Sequence, residues 1–461
     1  MKKYLAILLG AVFVLGFAAS AFAIHAEIPA ESQAVITKGV QVTIGGDIRI
    51  RNEYSNNVTD FDDNHADGKA YWDERIRLFV DAQVTPNTKG FIMLEGTSGQ
   101  TATAYNWGGQ PGDASGSAGF YRVGDTKRGT LNLLEAWILN TGSGLLGMPA
   151  GIKIGHMPLA LGNKLFFDHT LFGDDAIVLF ADPTKELHIA MLTAKFREGE
   201  PQYSGESNAY VGLFNYRTKE WGTSGDVTYV DDQIGLGTQA AKDPIHLWNF
   251  GLRGDVTFSG LTLRADGEVQ TGKVDNLDMD FKGWAVQAGA DYLVNGIKLT
   301  AQYIYGSGPK AGSKNVDWFV TSVSPYQRIT YVYDYRTVTA CPGLPAGATN
   351  GGICNTQYIN VGASIPLAKD LTGDLNYYNL SAAKNTSVTL DFADGSGTPS
   401  TSGNSKDIGN EFDWKLTYKV DKNLVYYVEG GYLFTGDFYA TALKPKPDDA
   451  WAVRQGIQLS F

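Results

Sequence analysis

Near its C-terminus the chain alternates with period two: Phe412, Trp414, Leu416, Tyr418 and Val420 take turns with Glu411, Asp413, Lys415, Thr417 and Lys419. Successive side chains of a β-strand point to opposite faces, so this segment presents one apolar face and one ionic face. The pattern repeats where Leu424, Tyr426, Val428, Tyr432 and Phe434 oppose Val425, Tyr427 and Glu429, and where Trp451, Val453, Ile457, Leu459 and Phe461 oppose Arg454, Gln458 and Ser460. Upstream, Leu261, Leu263, Ala265 and Val269 face away from Thr262, Arg264, Asp266, Glu268 and Gln270, and Val40, Val42, Ile44, Ile48 and Ile50 face away from Gln41, Thr43, Asp47, Arg49 and Arg51. Unpaired charges in a soluble core cost on the order of several kcal/mol each. A wall with lipid on one side and water on the other accommodates both faces.

Periodicity and turn residues predict strands over 40–54, 70–85, 89–97, 130–141, 149–157, 176–182, 186–196, 207–216, 224–230, 244–254, 261–270, 284–293, 297–305, 357–366, 371–381, 410–419, 424–434 and 450–461. That is eighteen, the even number an antiparallel up-and-down transmembrane β-barrel requires. The links alternate in length. Short ones, such as Pro86-Asn87-Thr88, Asp182 to Lys185, Val294-Asn295-Gly296, Ala368-Lys369-Asp370 and Val420 to Asn423, carry turn-forming residues. Long ones cover 55–69, 98–129, 158–175, 231–243, 271–283, 306–356 and 382–409. With the last strand descending to the periplasm, the short links are periplasmic and the long loops extracellular. Trp72, Trp284, Tyr292, Trp414, Tyr432 and Trp451 are then candidates for the aromatic belts at the membrane interfaces.

The first 23 residues read as a cleaved secretory signal: Lys2 and Lys3, an apolar run from Ile7 to Phe17, and Ala21-Phe22-Ala23 before the cut. The alternative, a retained membrane helix, needs about 20 apolar residues. Residues 24–39 form an expected N-terminal periplasmic segment and 40–461 a single barrel domain, because no linker composition interrupts the strand grammar. Loss of Lys2 and Lys3 leaves 36 basic against 49 acidic residues, a balance of −13 that argues against a nucleic-acid partner. The two cysteines, Cys341 and Cys354, flank a Pro/Gly-rich stretch. In an exported chain they are expected to form a disulfide, since a metal site needs more ligands and no His or acidic residue lies between them.

Two regions resemble the alginate-export-like family of outer-membrane porins. One runs from Leu134-Glu135-Ala136-Trp137 through Ile152-Lys153-Ile154-Gly155-His156-Met157-Pro158-Leu159 to Gly162 and Asp174-Asp175-Ala176. The other runs from Gly409-Asn410-Glu411-Phe412-Asp413 through Leu416-Thr417-Tyr418, Asn423-Leu424 and Gly430-Gly431-Tyr432 to Phe434-Thr435-Gly436-Asp437-Phe438. The resemblance implies an eighteen-stranded barrel in the bacterial outer membrane. Phe461 is similar to the terminal aromatic residue that the barrel-assembly machinery reads. His156 stands where the family's pattern has arginine, and the basic residues of the expected lumen mingle with Asp47, Asp73 and Asp81. This mixed lining argues against alginate itself.

The expected function is a porin passing small hydrophilic or anionic solutes, with no enzymatic step and no cofactor. Expected pore-lining residues are Arg49, Arg51, Arg75, Arg77, Arg264, Asp266, Glu268, Glu411, Asp413, Lys415, Glu429 and Arg454; the alternative is a structural lattice of wall ion pairs. The loop from Pro158 to Asp175, with Asp168, His169, Asp174 and Asp175, is the expected constriction, largely through the resemblance. Asp60 to Gly68 could attract calcium, but it has no glycine at its sixth position and Tyr71 where a bidentate Glu belongs. The histidines show no zinc spacing and no Gly-x-Ser-x-Gly elbow accompanies them. A second reading makes the barrel a sheath for a periplasmic or multihaem-cytochrome partner; with no Cys-x-x-Cys-His here, any haem belongs to that partner.

Overall fold

Each segment with the two-face alternation pairs with the next one along the chain, and the last returns to the first. The computed structural model describes residues 34–37, 39–65, 67–97, 131–142, 144–145, 147–198, 205–233, 235, 243–322, 329–342, 352–390 and 397–461. The proposed signal, 1–23, lies outside the described residues. One 20-stranded sheet contains two short pieces, Ala34–Thr37 and Met279–Asp280, and eighteen wall strands. The wall strands are β1 Val40–Asn56, β2 Lys69–Thr85, β3 Thr88–Thr97, β4 Leu131–Asn140, β5 Ala150–Met157 and β6 Asp174–Ala181. Then come β7 Leu187–Arg197, β8 Ser207–Arg217, β9 Trp221–Asp232, β10 Ile245–Phe258, β11 Leu261–Val274 and β12 Trp284–Val294. The last six are β13 Ile297–Gly306, β14 Thr356–Ala368, β15 Leu371–Ala382, β16 Asp407–Asp421, β17 Leu424–Thr435 and β18 Ala450–Ser460. The eighteen expected strands are all present. Several, such as β9, β11 and β16, run further than the greasy alternation does, because backbone pairing continues through their polar rims.

The barrel closes where β1 pairs antiparallel with β18, from Asp47 opposite Ser460 to Asn56 opposite Trp451. Beyond the strand end, the Phe461 amide donates to the Gly46 carbonyl at 3.0 Å and the Gly46 amide to the Phe461 carbonyl at 2.8 Å. The glycines at this seam are required by close approach. A Cβ on Gly46 would lie 2.2 Å from the Arg77 carbonyl, and one on Gly45 would lie 2.4 Å from the Phe79 ring. At the periplasmic end, Ser259-Gly260 and Asn295-Gly296 turn tightly with positive φ at both residues (48° and 82°, 51° and 83°). Mirror-image turns of this kind match the strand twist, which is why Gly follows Ser or Asn there.

Apolar side chains such as Ile44, Ile76, Leu179, Leu252 and Ile359 cover the outside. No helix among the described residues is long and apolar enough to cross a membrane; the strands do so. The inner face is not uniform. On β1 to β3 and β10 to β18 it is mostly polar, whereas β6 to β8 turn Ala176, Val178, Ala190, Leu192, Ala194, Ala209 and Val211 inward, all buried in one apolar cluster. Outward-facing Met191 on β7 is 70 % exposed in the bare barrel and so meets lipid. Met191→Arg is expected to destabilise the inserted barrel by about 2–4 kcal/mol. Urea-dependent unfolding from vesicles, followed by tryptophan fluorescence, checks this; an unchanged midpoint would contradict the assignment of that face to lipid.

Candidate functional site

Alternation carries the charged residues of neighbouring strands to the same inner face, and there they pair across the ladder. The Arg51 guanidinium donates to Asp73 at 2.8 and 3.0 Å, Arg75 to Asp47 at 2.7 Å and Arg77 to Glu95 at 2.6 Å. Arg454 donates to Glu429 at 2.7 Å and to Glu53 at 3.4 Å, and Lys415 pairs with Glu429 at 3.1 Å. Arg264 reaches Asp291 and, at 3.0 Å, Gln302. Such cross-strand pairs stabilise a sheet by roughly 0.2–1 kcal/mol each. Arg49 is the least committed of the expected lining residues: its nearest carboxylate, Asp73, is 3.9 Å away and its Nε has no partner.

Asp266 and Glu268 do not stand open to the lumen. Together with Asp226 they converge on Arg253, at 3.3, 2.6 and 2.6 Å respectively. Arg253 was not among the expected site residues, although Trp248, Phe250 and Leu252 on the opposite face of its strand place it inward. The hub is covered by the loop after β5. A Cβ on Gly162, whose φ is +52°, would lie 2.1 Å from the Arg253 Cζ, so only glycine lets the loop settle on the guanidinium.

This loop, 158–173, folds back on itself within the barrel. The His169 amide donates to the Leu159 carbonyl at 2.8 Å and the Leu161 amide to the Phe167 carbonyl at 3.1 Å. Leu159, Leu161, Leu165, Phe166 and Phe167 are buried in the same cluster as the apolar inner face of β6 to β8. Each fully buried side chain of this size contributes about 1.5–3 kcal/mol. The loop is thus a plug for one side of the lumen. His169, fully buried between Phe167, Phe172 and Phe196, faces Asp174 through Nδ1 at 2.8 Å and the Ser322 carbonyl through Nε2 at 3.1 Å. Asp168 accepts from Thr170 at 2.6 Å and pairs with Lys164 at 3.4 Å. Asp168 and His169 therefore sit within the plug and hold its shape, and Asp174, the first residue of β6, anchors it to the wall through His169. Asp175 departs from the expectation: strand alternation turns it away from Asp174 to the outer face, where it is mostly exposed and meets His156 at 3.0 Å.

A second loop, after β13, forms the other inward structure. Its segment 316–322 runs beside β11, where Gln270 accepts from the Val320 amide at 2.9 Å and donates to the Val320 carbonyl at 2.6 Å. The Ser322 amide donates to the Phe166 carbonyl at 2.8 Å, joining this loop to the plug. Residues 329–337, with a single helical turn at Tyr333–Arg336, then form a strap docked on β16. Glu411 accepts from the Val332 and Tyr333 amides at 2.5 and 2.9 Å, and Asp413 from the Tyr331 amide at 2.9 Å. Glu411 is consequently buried under the strap, where the sequence placed it on an open pore wall. Arg336 pairs with Glu53 of β1 at 2.8 and 2.9 Å, and its guanidinium lies 3.9 and 4.1 Å from the ring centres of Tyr331 and Tyr335. The Cys341–Cys354 disulfide closes the chain just beyond the strap.

Below the strap lies a cavity of about 520 Å³, lined by Arg51, Lys298, Asp374, Tyr378, Arg454 and the strap tyrosines Tyr331 and Tyr335, among others. A smaller space of about 30 Å³ lies under the plug beside Arg217 and Arg253. The strap thus covers a substantial volume that charged residues of β13 to β18 line, with Ile329, Tyr331 and Tyr378 joining it to the buried apolar residues.

The acidic loop after β1 does not converge on a cation position. Asp67 accepts from the Asn57 and Thr59 amides at 2.6 and 3.1 Å, and Lys444 occupies the remaining acidic site, 3.0 Å from Asp62 and in contact with Asp448. Among the described residues no group of three or more His, Cys, Asp or Glu is disposed to hold a metal ion. Burial, aided by Asp67, lifts the Asp60 carboxyl to about 6. Its folded value exceeds its unfolded one, so the stabilisation is full below about pH 4 and is lost as pH rises through about 6. Amide exchange in 57–62, corrected for intrinsic rates, is expected to be slower at about pH 5 than at about pH 7.5. Asp60→Asn should abolish that difference, and its survival in the variant would assign the effect elsewhere.

No curated protein matches the chain. Among solved structures the barrel is similar to Pseudomonas aeruginosa OccK5 (OpdH), with 12 % identity and a TM-score of 0.51 over 91 % of this chain and 98 % of that one. It is similar to the outer membrane protein OprD from Pseudomonas aeruginosa, with 12 % identity and a TM-score of 0.51 over 94 % and 96 % of the two chains. Pseudomonas aeruginosa OccK11 (OpdR) matches with 11 % identity and a TM-score of 0.51 over 91 % and 96 %. At these identities the likeness concerns the fold. A family model described as alginate export matches residues 40–453, nearly the whole barrel. The chain therefore belongs to the alginate-export family and is a channel-type β-barrel of the bacterial outer membrane.

Proposed function

We propose that this barrel is a selective pore for small polar solutes, in which the strap at 329–337 sets the constriction and the cavity below it holds the solute in transit. The observation that carries this reading is the division of the lumen. The apolar loop 158–173 packs on the inner face of β6 to β8, and the strap covers a cavity of about 520 Å³ lined largely by polar residues of β13 to β18. Pockets of roughly 300–1,000 Å³ suit small molecules. A protein partner would need far more room, so the inward loops speak against the sheath reading. Passage through such a site needs no covalent step: charge placement and pore diameter discriminate among solutes. This reading keeps residues 1–23 as the export signal, 24–39 as a periplasmic segment and the barrel-assembly machinery as the partner that inserts the chain.

Arg336 is the residue on which the strap depends most. It and Glu53 are both buried, so removing the guanidinium leaves a carboxylate with a partly lost partner, a cost on the order of 3 kcal/mol to the docked state. Arg336→Ala is therefore expected to raise single-channel conductance in planar bilayers and to make it noisier, while the heat-stable mobility of the folded barrel on gels is kept. Conductance identical to that of the unmodified protein would remove the strap from the constriction. Absence of any conductance in the unmodified protein would contradict the pore reading.

A further inference from the structure

The cations around the cavity already have partners in the wall. Arg51 is held by Asp73 at 2.8 Å, Lys298 lies 3.6 Å from Asp291, and Lys415 and Arg454 share Glu429 at 3.1 and 2.7 Å. Arg454 is also bound to Tyr335 at 3.1 Å. An entering carboxylate would have to displace one of these partners or approach Asp374, Asp413 and Glu429 against like charge. An entering cation meets Arg51, Lys298, Lys415 and Arg454 in the same space. Neither sign of net charge is favoured.

The remaining surface suits hydroxyl groups. Asp374 forms no ion pair among the described residues and lines the cavity beside Ser364, its cross-strand neighbour, and Asn376. A carboxylate accepts from a neutral hydroxyl without breaking any pair, and hydrogen bonds to charged groups are stronger than those between neutral ones. Beside this floor, Tyr331, Tyr335 and Tyr378 supply aromatic surface; the Tyr335 hydroxyl already accepts from Arg454 and the Tyr378 hydroxyl donates to the Ile329 carbonyl, so what they offer a solute is ring surface for the apolar face of a sugar. Building on the pore reading above, we propose that the cavity selects an uncharged, hydroxyl-rich solute of mono- or disaccharide size, in preference to uronates and other anions.

The test uses the purified full-length protein in liposomes. Swelling rates are compared for a neutral disaccharide, a diuronate and a basic amino acid, with potassium chloride conductance recorded in parallel. The disaccharide is expected to enter roughly tenfold faster than the diuronate, because the carboxylates of the diuronate approach Asp374, Asp413 and Glu429 against like charge. Glu429→Gln releases Lys415 and Arg454 from their shared carboxylate and should narrow or invert that ratio. Asp374→Asn, a near-isosteric change that tests the site should the first variant fail to fold, should slow the disaccharide relative to the diuronate. Faster entry of the diuronate or of the basic amino acid, with conductance present, would overturn this inference and leave the pore reading standing. Loss of both conductance and solute entry in the unmodified protein would overturn the pore reading and this inference with it.

Discussion

The hydrocarbon core offers no partner to a free peptide group, so every backbone amide and carbonyl in the wall must be paired within the sheet. The pairing of β1 with β18 meets that requirement for the two strands that would otherwise be edges. Closure in turn fixes the register of all the others, since each strand is bonded on both sides. The paired glycines Gly45-Gly46 belong to this constraint: the seam brings Phe461 and Phe79 against the backbone, and a side chain at either position would hold the sheet open. Once register is fixed, alternation decides which residues meet lipid and which meet water, because a slip of one residue would exchange the faces.

The inner charges follow from that geometry. Arginines on β1 and β2 do not form a cationic field; they meet the carboxylates that the same alternation brings beside them, and the wall becomes a lattice of opposite charges. Near-neutral pairing also explains how a wide barrel can carry inserted loops. Where the inner face is apolar, on β6 to β8, a loop rich in Leu and Phe covers it. Where carboxylates remain, on β16 and β1, the strap satisfies them with backbone amides and Arg336. Each inward loop is matched in chemistry to the stretch of wall it covers.

Strand number, parity of the links and the inward direction of Arg51, Asp73, Glu429 and Arg454 were legible in the sequence, because period two is a local property. The loops were less legible, since their destination depends on wall positions far away in the chain. A signal for the plug was nevertheless present: Asp175 to Ala181 and His188 to Ala194 are apolar on both faces for most of their length, which a strand between lipid and water would not be. A two-sided apolar strand needs cover on its inner side, and Leu165-Phe166-Phe167 in the preceding loop provides it. Arg253 could have been found by alternation against Trp248, Phe250 and Leu252. Arg336 could not: it lies in an irregular segment, and its partner Glu53 is 283 positions away. Asp175 shows the converse difficulty: the strand begins at Asp174, two residues before the expected start at 176, so a residue expected in the inward loop falls on the outer face of the strand.

The plug and segment 316–322 of the second loop also constrain one another. Ser322 contributes both of its backbone groups to the plug, its amide to Phe166 and its carbonyl to His169, while the same loop continues into the strap. His169 is held on its other side by Asp174, the first residue of β6, so the chain of contacts runs from wall to plug to second loop. A displacement of the plug would draw on the segment that precedes the strap, and the Gln270–Val320 pair limits how far that segment can yield. The plug is held by buried apolar area, which is indifferent to small polar solutes. The strap is held by a few hydrogen bonds and one buried ion pair, interactions that a polar solute can compete with directly. In the proposed pore the division of labour follows from that difference in chemistry: the plug fills part of the lumen with groups that a polar solute cannot engage, and the strap sets the constriction beside the cavity.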